Sequence, residues 1–454
     1  MNQKTNLDDH NIGKLLFKLS YPATIGMLVM SFYNIMDTIF IGHGVGTDGI
    51  GGVVVAFPIQ MVVGAIGQMI GIGGASLFSR SLGEKNIDKA RRTLGTVVAA
   101  VLVAGAAITA IGYIKLNDLL RLFGATDSLL PYAREYLSIV LAGVVFHTLA
   151  MALNNMARAE GKAKIAMTTM ILSAAVNMIL DALFIFGFKM GIKGAALATL
   201  IAYISAALFL IFFFQSGKSV LHLRIRNIGF DLSILKEILA VGVASFIRQT
   251  AMSFLIILLN RRLGQLGGDI AIAVFGVVMR LIMFIFTPIM GIARGLQPVA
   301  GFNYGAQRFD KMKKSVIIAT IASTIIAVSG SLLLTIFPEA FLGLFSDDPE
   351  LVNQGRIALR YIILAFPLVG FQVMGSTLFQ ATGKAAQTLV LALARQLLLL
   401  IPLILILPHF FHLTGLWIAF PIADTLGFFL AVFMVYHFRY LYQIRSEQVV
   451  EVRK

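Results

Sequence analysis

Apolar runs of about twenty residues, separated by short clusters of charged and turn-forming residues, follow one another along the chain. Runs of this length predict transmembrane helices, because a helix needs about twenty apolar residues to cross the hydrocarbon core. The ten-residue alternation of a membrane β-barrel is absent. We therefore predict an all-α polytopic membrane protein with twelve transmembrane helices. The predicted spans are roughly 15–41, 50–78, 94–114, 131–156, 165–188, 192–215, 236–260, 270–298, 315–337, 358–380, 386–408 and 414–438.

Composition supports a membrane protein and excludes several kinds of site. Of the 454 residues, 58% are hydrophobic and only 13% are charged, and the mean hydropathy is +0.88. A soluble domain is about a quarter charged. The chain has no cysteine, so it can form no disulfide and no thiolate metal site. The first twenty residues lack a short apolar core with a cleavage site, so we expect no removable signal peptide.

The net charge of +15 is distributed unevenly between the two sides of the predicted bundle. Of 37 Lys and Arg residues, 24 fall in the termini and loops of one side, nine fall in the opposite loops, and four lie inside spans. Excess positive charge marks cytoplasmic loops. We therefore predict that both termini are cytoplasmic, and we attribute the basic character to this asymmetry rather than to nucleic-acid binding.

Short motifs of the first half recur in the second half at a constant separation. LRLFGATD resembles LGLFSDDP, ARAEGKAK resembles FQATGKAA, and SLGEKNIDKA resembles NYGAQRFDKM. In the last two pairs, Gly161 matches Gly383 and Gly83 matches Gly305, and the two separations are equal. The recurrence predicts an N-terminal lobe at 1–215, a cytoplasmic linker at 216–231 and a C-terminal lobe at 232–454. Six spans is an even number, so the lobes share one orientation and are related by a pseudo-two-fold axis along the membrane normal.

A two-lobed bundle of twelve helices is typical of secondary transporters, although duplication alone would also fit shared ancestry without transport. The chain has no G-x-x-x-x-G-K-[ST] phosphate loop and no insert long enough for an ATPase domain. We therefore predict a transporter driven by an ion gradient, with no enzymatic activity and no cofactor. An ion channel is a weaker alternative, because the halves offer no symmetric ring of pore residues.

Two carboxylates in the first half are the strongest candidates for chemistry. Asp37 lies in the first predicted span and Asp181 in the fifth, and an acid inside a span is by default a functional residue that faces the bundle interior. Asn177, one helical turn before Asp181, and Thr199 on the sixth span add oxygen ligands that suit a small hard cation. Tyr33, Asn34 and Asn154 would form a supporting polar network. Taken singly, Asn177, Asn154 and Thr199 fit interhelical hydrogen bonding better than ion binding, and it is the pair of acids that favours a cation site.

The second half carries a different set of polar residues. The position that duplicates Asp37 is Leu259, and the counterpart of Asp181 is also apolar, so the predicted ion site is asymmetric. We expect Arg395 and Asp424 to form a structural ion pair. Arg248 and Arg294 are expected to snorkel toward a helix end, or alternatively to attract an anionic substrate or lipid headgroup. The intramembrane polar inventory of this half is Arg248, Arg280, Arg294, Arg395 and Asp424.

Along essentially its full length the chain resembles the multidrug and toxic compound extrusion (MATE) transporters. The motifs that carry the resemblance are MDTIFIGHGVG, GASLFSRSLGEKN, ARAEGKAK, VNMILDALFIFG with GIKGAALAT, and GLQPVAGFNYGA. Within the family the chain is most similar to the MepA-like members and the DinF branch. It lacks the glutamate that the NorM branch carries in the seventh helix, where this chain has Arg248 and Gln249.

The resemblance implies a cation site at Asp37, Asn177, Asp181 and Thr199, which would bind Na⁺ if Na⁺ is the coupling ion, with Tyr33 and Asn154 in support. It also implies antiport of organic, often cationic, amphipathic drugs against Na⁺ or H⁺ by alternating access. We expect drug-like substrates and membrane lipids as partners, a functional monomer, and a location in the bacterial inner membrane. The alternative is a flippase or exporter of an anionic, lipid-linked substrate, suggested by the arginines of the second half.

Overall fold

The computed structural model describes residues 7, 11–45, 47–123, 125–223, 225–345 and 348–451. The side chains at 34, 42, 47, 48, 50, 225, 253, 257, 269 and 439–451 lie outside this description. Among the described residues, eleven helices are long and apolar enough to cross a membrane. A further pair, bent by 55° at Gly143, brings the number of spans to the predicted twelve.

The N-terminal lobe contains six spans, two of which are interrupted. The fourth bends at Gly143, and the fifth ends in a π-helical turn after Asp181. The spans are α1 (Ile12–Gly44), α2 (Thr47–Gly83), α3 (Ile87–Ile114), α4 (Leu130–Ala142 and Val144–Ala159), α5 (Ala163–Asp181, extended by Ala182–Gly187) and α6 (Ile192–Gln215).

The C-terminal lobe repeats this order of helices. α7 and α8 are separate spans joined by a tight turn at Gly268, whose φ of 65° is a conformation that glycine adopts without strain. The spans are α7 (Leu232–Gly268), α8 (Ile270–Gly305), α9 (Phe309–Ile336), α10 (Pro349–Ile363 and Val369–Ala381), α11 (Ala385–Leu393, Ala394–Leu400 and Ile401–Ile406) and α12 (Pro408–Phe438).

Several helices begin at side chains that cap them. The Asn11 side chain accepts a hydrogen bond from Lys14 N over 3.0 Å, and Asn86 accepts one from Lys89 N over 2.9 Å. Asp231 accepts from Ser233 N and Ile234 N, both over 3.1 Å, where α7 begins. These bonds satisfy backbone N–H groups that have no partner in the first helical turn, and so they fix where each helix starts.

Unusual backbone conformations recur at the separation that the motifs predict. Lys85 and Gln307 both have a φ of 57°, and Gly161 and Gly383 have φ of 83° and 75°. The members of both pairs are as far apart in the chain as Gly83 and Gly305. Gly191 and His412 form a third pair, with φ and ψ of 59° and −137° in the first and 47° and −134° in the second, and their separation is shorter by a single residue. The halves therefore follow one backbone plan, and the second half has one residue fewer between Gly383 and His412 than the first half has between Gly161 and Gly191.

The lobes pack closely at the end of the bundle that carries the 216–231 linker, which we call the linker end. At Gly83 an added Cβ would collide with the carbonyl oxygen of Phe302, and at Gly305 it would collide with that of Arg80. Gly83 and Gly305 are duplicates of one another, and so are Arg80 and Phe302. The two contacts are thus related by the pseudo-two-fold axis, and only glycine allows the backbones to come so close.

One apolar core runs through both lobes from Leu15 on α1 to Trp417 on α12. A second, smaller core belongs to the N-terminal lobe and includes Ile41, Tyr136 and Ile185. Ile41 and Ile185 each lie four residues after a candidate carboxylate, Asp37 and Asp181 respectively. Residues four apart share a helix face, so this core places both acids inside the lobe, far along the helices from the linker end.

Candidate functional site

Asp37 and Asp181 meet inside the N-terminal lobe. The side chain of Asp37 on α1 is 8% exposed and that of Asp181 at the end of α5 is fully buried. The two carboxyl groups are in hydrogen-bond contact. Within the described structure, Oδ1 of each residue is buried without a hydrogen-bond partner. Two carboxylates in contact repel each other when both are ionised, so the arrangement favours a proton or a metal cation between them.

Asn177 and Thr199 hold Asp181 in place. With the amide oriented so that its nitrogen faces the carboxylate, Asn177 donates to Asp181 Oδ2 over 2.6 Å. Its oxygen then accepts from Thr199 N over 3.1 Å and from Thr199 Oγ1 over 3.2 Å. The opposite orientation keeps a bond to Thr199 Oγ1 but turns the amide oxygen toward the carboxylate, so the hydrogen-bond network selects the first. Four predicted ligand residues therefore lie together.

Three tyrosines lie within electrostatic range of Asp37, namely Tyr33, Tyr136 and Tyr203. The sequence predicts the first of them, one helical turn before Asp37. It gives no sign of the other two, which come from α4 and α6 and look like ordinary aromatic residues of an apolar helix. Tyr136 also lies beside Thr199. The hydroxyl groups supply neutral polar atoms to a site that otherwise carries only negative charge.

A cavity of about 270 Å³ lies beside these tyrosines in the N-terminal lobe. Tyr203 and Gln60 line it, together with His147, whose ring centroid is 4.1 Å from that of Tyr203. Gln60 also lies beside the hydroxyl group of Tyr136. The polar groups around the acids therefore continue toward a space inside the lobe.

Asn154, a predicted supporting residue, hydrogen-bonds groups other than the two carboxylates in the described structure. Its Nδ2 donates to the carbonyl oxygen of Ala166 over 2.9 Å, and its Oδ1 accepts from Arg158. It therefore joins α4 to α5 near the linker end, instead of contacting either carboxylate. The side chain of Asn34, the other predicted supporting residue, lies outside the described part of the structure.

The oxygen-rich donor set fits a small hard cation better than a transition metal. Two carboxylates, one amide and one hydroxyl are the ligand types that Na⁺ or Mg²⁺ accepts. The described residues contain no group of three or more His, Cys, Asp or Glu side chains that could hold a metal ion. The two buried carboxylate oxygens without partners are the atoms left for a cation or a proton.

The acid of the C-terminal lobe is neutralised by an arginine. Arg395 Nε donates to Asp424 Oδ1, which forms the ion pair that the sequence predicts. Gln372 Nε2 also donates to the backbone oxygen of Asp424 over 2.6 Å. Arg280 is exposed on α8. Leu259, the duplicate of Asp37, is buried in the apolar core. This lobe therefore offers no counterpart of the paired carboxylates among its described residues.

Arg294 does not snorkel to a helix end as expected. Its Nη1 lies 3.4 Å from Asn155 Oδ1 on α4, and it lines a cavity between the lobes. Arg248 is half-buried and within electrostatic range of Arg294. Arg158, which the charge pattern places among the loop residues, also lines this cavity from the last turn of α4. Arg158 lies three residues after Asn155 and four after Asn154, so the three side chains share one face of α4. That spacing is the sequence signal from which its place in the polar cluster could have been predicted.

Ion pairs join the two lobes at the linker end. Arg80 Nη2 on α2 lies 2.7 Å from Glu237 Oε1 on α7, and Lys89 Nζ lies 3.9 Å from Glu237 Oε2. Arg92 Nη1 lies 3.3 Å from Asp231 Oδ2. Together with the glycine contacts described above, these pairs hold the lobes together on the side away from the paired acids.

Comparison with protein families supports the architecture. The family model described as MatE matches residues 22–183 and again residues 243–406, which is most of the chain and one match in each half. The chain is 29% identical over 445 residues to the multidrug export protein MepA of Staphylococcus haemolyticus, covering 98% of both chains.

Two solved structures show the same fold. The MATE multidrug transporter DinF-BH superimposes with a TM-score of 0.87 at 42% identity, covering 93% of this chain and 95% of that one. A multidrug resistance MATE family transporter in an outward-facing conformation superimposes with a TM-score of 0.89 at 27% identity. That match covers 97% of this chain and 99% of the other.

Proposed function

Because the chain belongs to the MatE family of multi-pass membrane transporters, we propose that it exports organic, often cationic, amphipathic drugs in exchange for Na⁺ or H⁺. The observation that carries this proposal is the pair of buried carboxylates, Asp37 and Asp181, with an unpartnered oxygen on each. The names of its relatives add support, since MepA is a multidrug export protein and DinF-BH is a multidrug transporter.

The proposed cycle starts from the conformation described here, in which the lobes are closed at the linker end. A cation enters from the opposite side and binds at Asp37 and Asp181, where it offsets the repulsion between the two carboxylates. Binding disfavours the drug and favours opening of the linker end. The drug then enters from the linker side, and its binding accompanies release of the cation. Export results if the linker end faces the cytoplasm.

The distribution of charge supports that orientation. The linker end carries the loops that hold most of the Lys and Arg residues, and such loops remain in the cytoplasm. Both termini would then be cytoplasmic, and the protein would lie in the bacterial inner membrane. The boundaries 1–215, 216–231 and 232–454 are our proposal for the two lobes and the linker. We further propose that the monomer is the functional unit.

The available driving force is sufficient for multidrug export. One monovalent cation that moves down a potential of 100 mV contributes about 2.3 kcal/mol. A tenfold concentration gradient of that cation adds about 1.4 kcal/mol. Together they support a gradient of roughly a few hundredfold for a neutral drug, when one ion is exchanged for one molecule. A cationic drug would require further driving force, since its export opposes the potential.

The proposal is tested by dye efflux from membrane vesicles in which Na⁺ and pH gradients are imposed separately. We expect one of the two gradients to drive efflux of ethidium by the natural protein, and Asp37→Asn to reduce efflux to background. Asp118→Asn is the matched control, because it removes an exposed carboxylate in the short helix Leu116–Leu122, outside the spans, that pairs only with Lys115 over 3.2 Å in the described structure. Normal coupled efflux by Asp37→Asn would refute the assignment.

The second candidate is export of an anionic, lipid-linked compound. The cavity lined by Arg158 and Arg294 favours it, because these side chains would attract a negative group. Deletion of the gene distinguishes the two functions. An envelope defect without any change in dye resistance would favour the anionic cargo, whereas loss of dye resistance alone would favour drug export.

A further inference from the structure

A second polar site lies between the two lobes, toward the linker end and away from the paired acids. It is a cavity of about 200 Å³ lined by residues of α2, α4 and α8. The lining residues are Ala75, Asn155, Arg158, Ala159, Arg294, Gln297 and Pro298. Arg158 belongs to the N-terminal lobe and Arg294 to the C-terminal lobe, so the cavity is divided between the two moving parts.

Two guanidinium groups converge on one neutral amide. Arg158 Nη2 donates to Asn155 Oδ1 over 2.9 Å, and Arg294 Nη1 donates to the same oxygen over 3.4 Å. Arg158 also donates through Nη1 to Asn154. Asn155 is in turn fixed by Nδ2, which donates to the carbonyl oxygen of Met151 and to Gln68 Oε1, over 2.8 and 3.2 Å. The amide is thereby held with its oxygen toward the arginines.

The positive charge at this site is not neutralised by the described part of the chain. Neither Arg158 nor Arg294 forms an ion pair with any described carboxylate, and neither does Arg248, whose charge also acts on Arg294. Arg158 and Arg294 repel each other across the cavity. An amide oxygen carries no net charge, so Asn155 cannot offset this repulsion. Charges withdrawn from water are normally paired with an opposite charge.

Each guanidinium also has unused hydrogen-bond donors. An arginine side chain carries five N–H groups. The described bonds use two of these in Arg158 and one in Arg294. The remaining donors belong to planar forks that match phosphate and carboxylate oxygens. Gln297, which is buried and donates to the carbonyl oxygen of Ile72 over 3.4 Å, adds a neutral polar group to the wall.

We propose that the cavity between Arg158 and Arg294 binds a phosphate-type oxyanion that bridges the two lobes. The space is small and partly open, and its charged wall is made of two guanidinium groups, so the site suits a compact oxyanion rather than an enclosed drug. Phosphate offers oxygens to both forks at once and supplies the negative charge that the site lacks. The headgroup of an anionic lipid and free phosphate both provide this group, and the chemistry that recognises them is the same.

Binding of this anion would depend on the conformation of the transporter. The two arginines lie on opposite lobes, so both can contact one phosphate only while the lobes are closed at the linker end. The oxyanion therefore stabilises that closed state, as a ligand that binds one of two states must. The site is separate from Asp37 and Asp181 and opposite in charge, and the inference does not rest on the identity of the coupling ion or the drug.

The first test uses the purified full-length protein in detergent without added lipid. Its thermal unfolding is followed as inorganic phosphate is added, with chloride at matched ionic strength as the control. We expect phosphate to raise the unfolding temperature of the natural protein. Arg158→Gln combined with Arg294→Gln should remove the effect, because each lost charged hydrogen bond weakens binding by about tenfold to a hundredfold. Arg280→Gln, an exposed arginine on α8, is the matched control and should respond like the natural protein.

The second test distinguishes the source of the phosphate group. Native mass spectrometry of the protein from vesicles of phosphatidylglycerol and phosphatidylcholine reports any retained lipid. Retention of phosphatidylglycerol that requires Arg158 and Arg294, without a response to inorganic phosphate, would identify the lipid headgroup. A response to inorganic phosphate alone would identify the free anion. If neither phosphate nor phosphatidylglycerol distinguishes the double variant from the natural protein, the proposal is wrong.

Two further variants keep the result interpretable. Should the double variant not be recovered, Arg294→Lys retains the charge but removes the fork, and we expect it to weaken the phosphate response by about tenfold. A response equal to that of the natural protein would overturn the bridging geometry. Asp37→Asn should keep the full phosphate response while losing drug efflux. The phosphate response therefore tests the anion site, and drug efflux tests the proposed transport function, so either proposal can be refuted without the other.

Discussion

The two lobes follow one backbone plan but differ in whether their buried acids are paired with a basic side chain. In the N-terminal lobe, Asp37 and Asp181 contact each other and carry no basic partner in the described structure. In the C-terminal lobe, Asp424 is neutralised by Arg395. An ion pair within the protein leaves nothing for a mobile cation to neutralise. The difference indicates that duplication supplied the scaffold, and that only one copy has the charge arrangement needed for cation binding.

The largest effect is expected from breaking the acid pair. Asp181→Asn should reduce cation-driven dye efflux to background, because a single carboxylate beside two amides no longer requires a cation. The variant that replaces both Arg395 and Asp424, Arg395→Met with Asp424→Leu, should retain coupled efflux. Efflux is measured in vesicles under an imposed Na⁺ or pH gradient. Loss of coupling in the second variant, with correct folding, would contradict the division of roles between the lobes.

The next largest effect concerns stability in the C-terminal lobe. Arg395→Gln leaves the buried carboxylate of Asp424 without its ion pair, which should cost about 3–5 kcal/mol of the free energy of unfolding. Replacing both members with apolar residues should be close to neutral, because no charge then remains uncompensated. Thermal unfolding in detergent measures both. Equal destabilisation by the single and the double replacement would show that packing, not charge pairing, dominates at this site.

The residues that follow α4 and α10 differ in whether they can titrate, since Glu160 occupies the position of Thr382 in the other half. Glu160 is buried and accepts bonds from Ser219 Oγ over 2.7 Å and Val220 N over 2.5 Å, whereas its duplicate, Thr382, bonds within its own helix. Burial raises the pKa of Glu160 from 4.5 to about 7 despite these bonds. Between these pH values, Glu160 therefore keeps its proton while the linker is docked against it and loses that proton when the linker is released.

It follows that docking of the linker should weaken as the pH rises from 4.5 to 7, by on the order of 3 kcal/mol in total, and then stay constant. Limited proteolysis of the linker should accordingly be faster at pH 8 than at pH 5.5, after correction for protease activity with an unfolded substrate. Glu160→Gln should abolish the difference, since an amide does not titrate. A pH dependence that persists in this variant would assign the effect to another group.

The smallest expected effect tests the pseudo-symmetry of the linker end. Gly83→Ala and Gly305→Ala each place a methyl group against a carbonyl oxygen of the other lobe. Each should disfavour the closed linker end by about 1–3 kcal/mol, the usual cost of overpacking. Because the chain has no cysteine, single cysteines added at this end report its accessibility to a thiol reagent without background. Clearly unequal effects of the two replacements would limit the symmetry to the backbone.

Much of the fold could be predicted because lipid imposes simple requirements. The apolar runs predict all twelve spans, and the repeated motifs predict the separation at which Gly161 and Gly383 share a backbone conformation. The bend at Gly143 could not be predicted from apolar length, because both pieces of that span remain apolar. The break in α10 contains Pro367, and a proline in a predicted span already indicates that the helix can bend there. The structure therefore adds the shape of the spans rather than their number.

The candidate site was predictable only where charge or spacing distinguished a residue. Asp37 and Asp181 stand out as acids in apolar helices, and Asn177 follows from its position one turn away. Tyr136 and Tyr203 do not stand out, since an aromatic residue suits both lipid and a polar site. The charge pattern misplaces Arg158, because a cation near a predicted span end resembles a loop residue, and only tertiary packing brings it beside Arg294.

The second half has one residue fewer than the first between its fourth loop and its last span, and this difference determines how the two halves can be compared or recombined. One residue corresponds to about 100° of rotation around an α-helix. The separation of the earlier motifs would match Thr199 with Pro421, although the register of Gly191 and His412 matches it with Phe420. Chimeric transporters that exchange the sixth and twelfth helices by the earlier separation would turn the wrong face inward, and the crossover should instead be counted from Gly191 and His412.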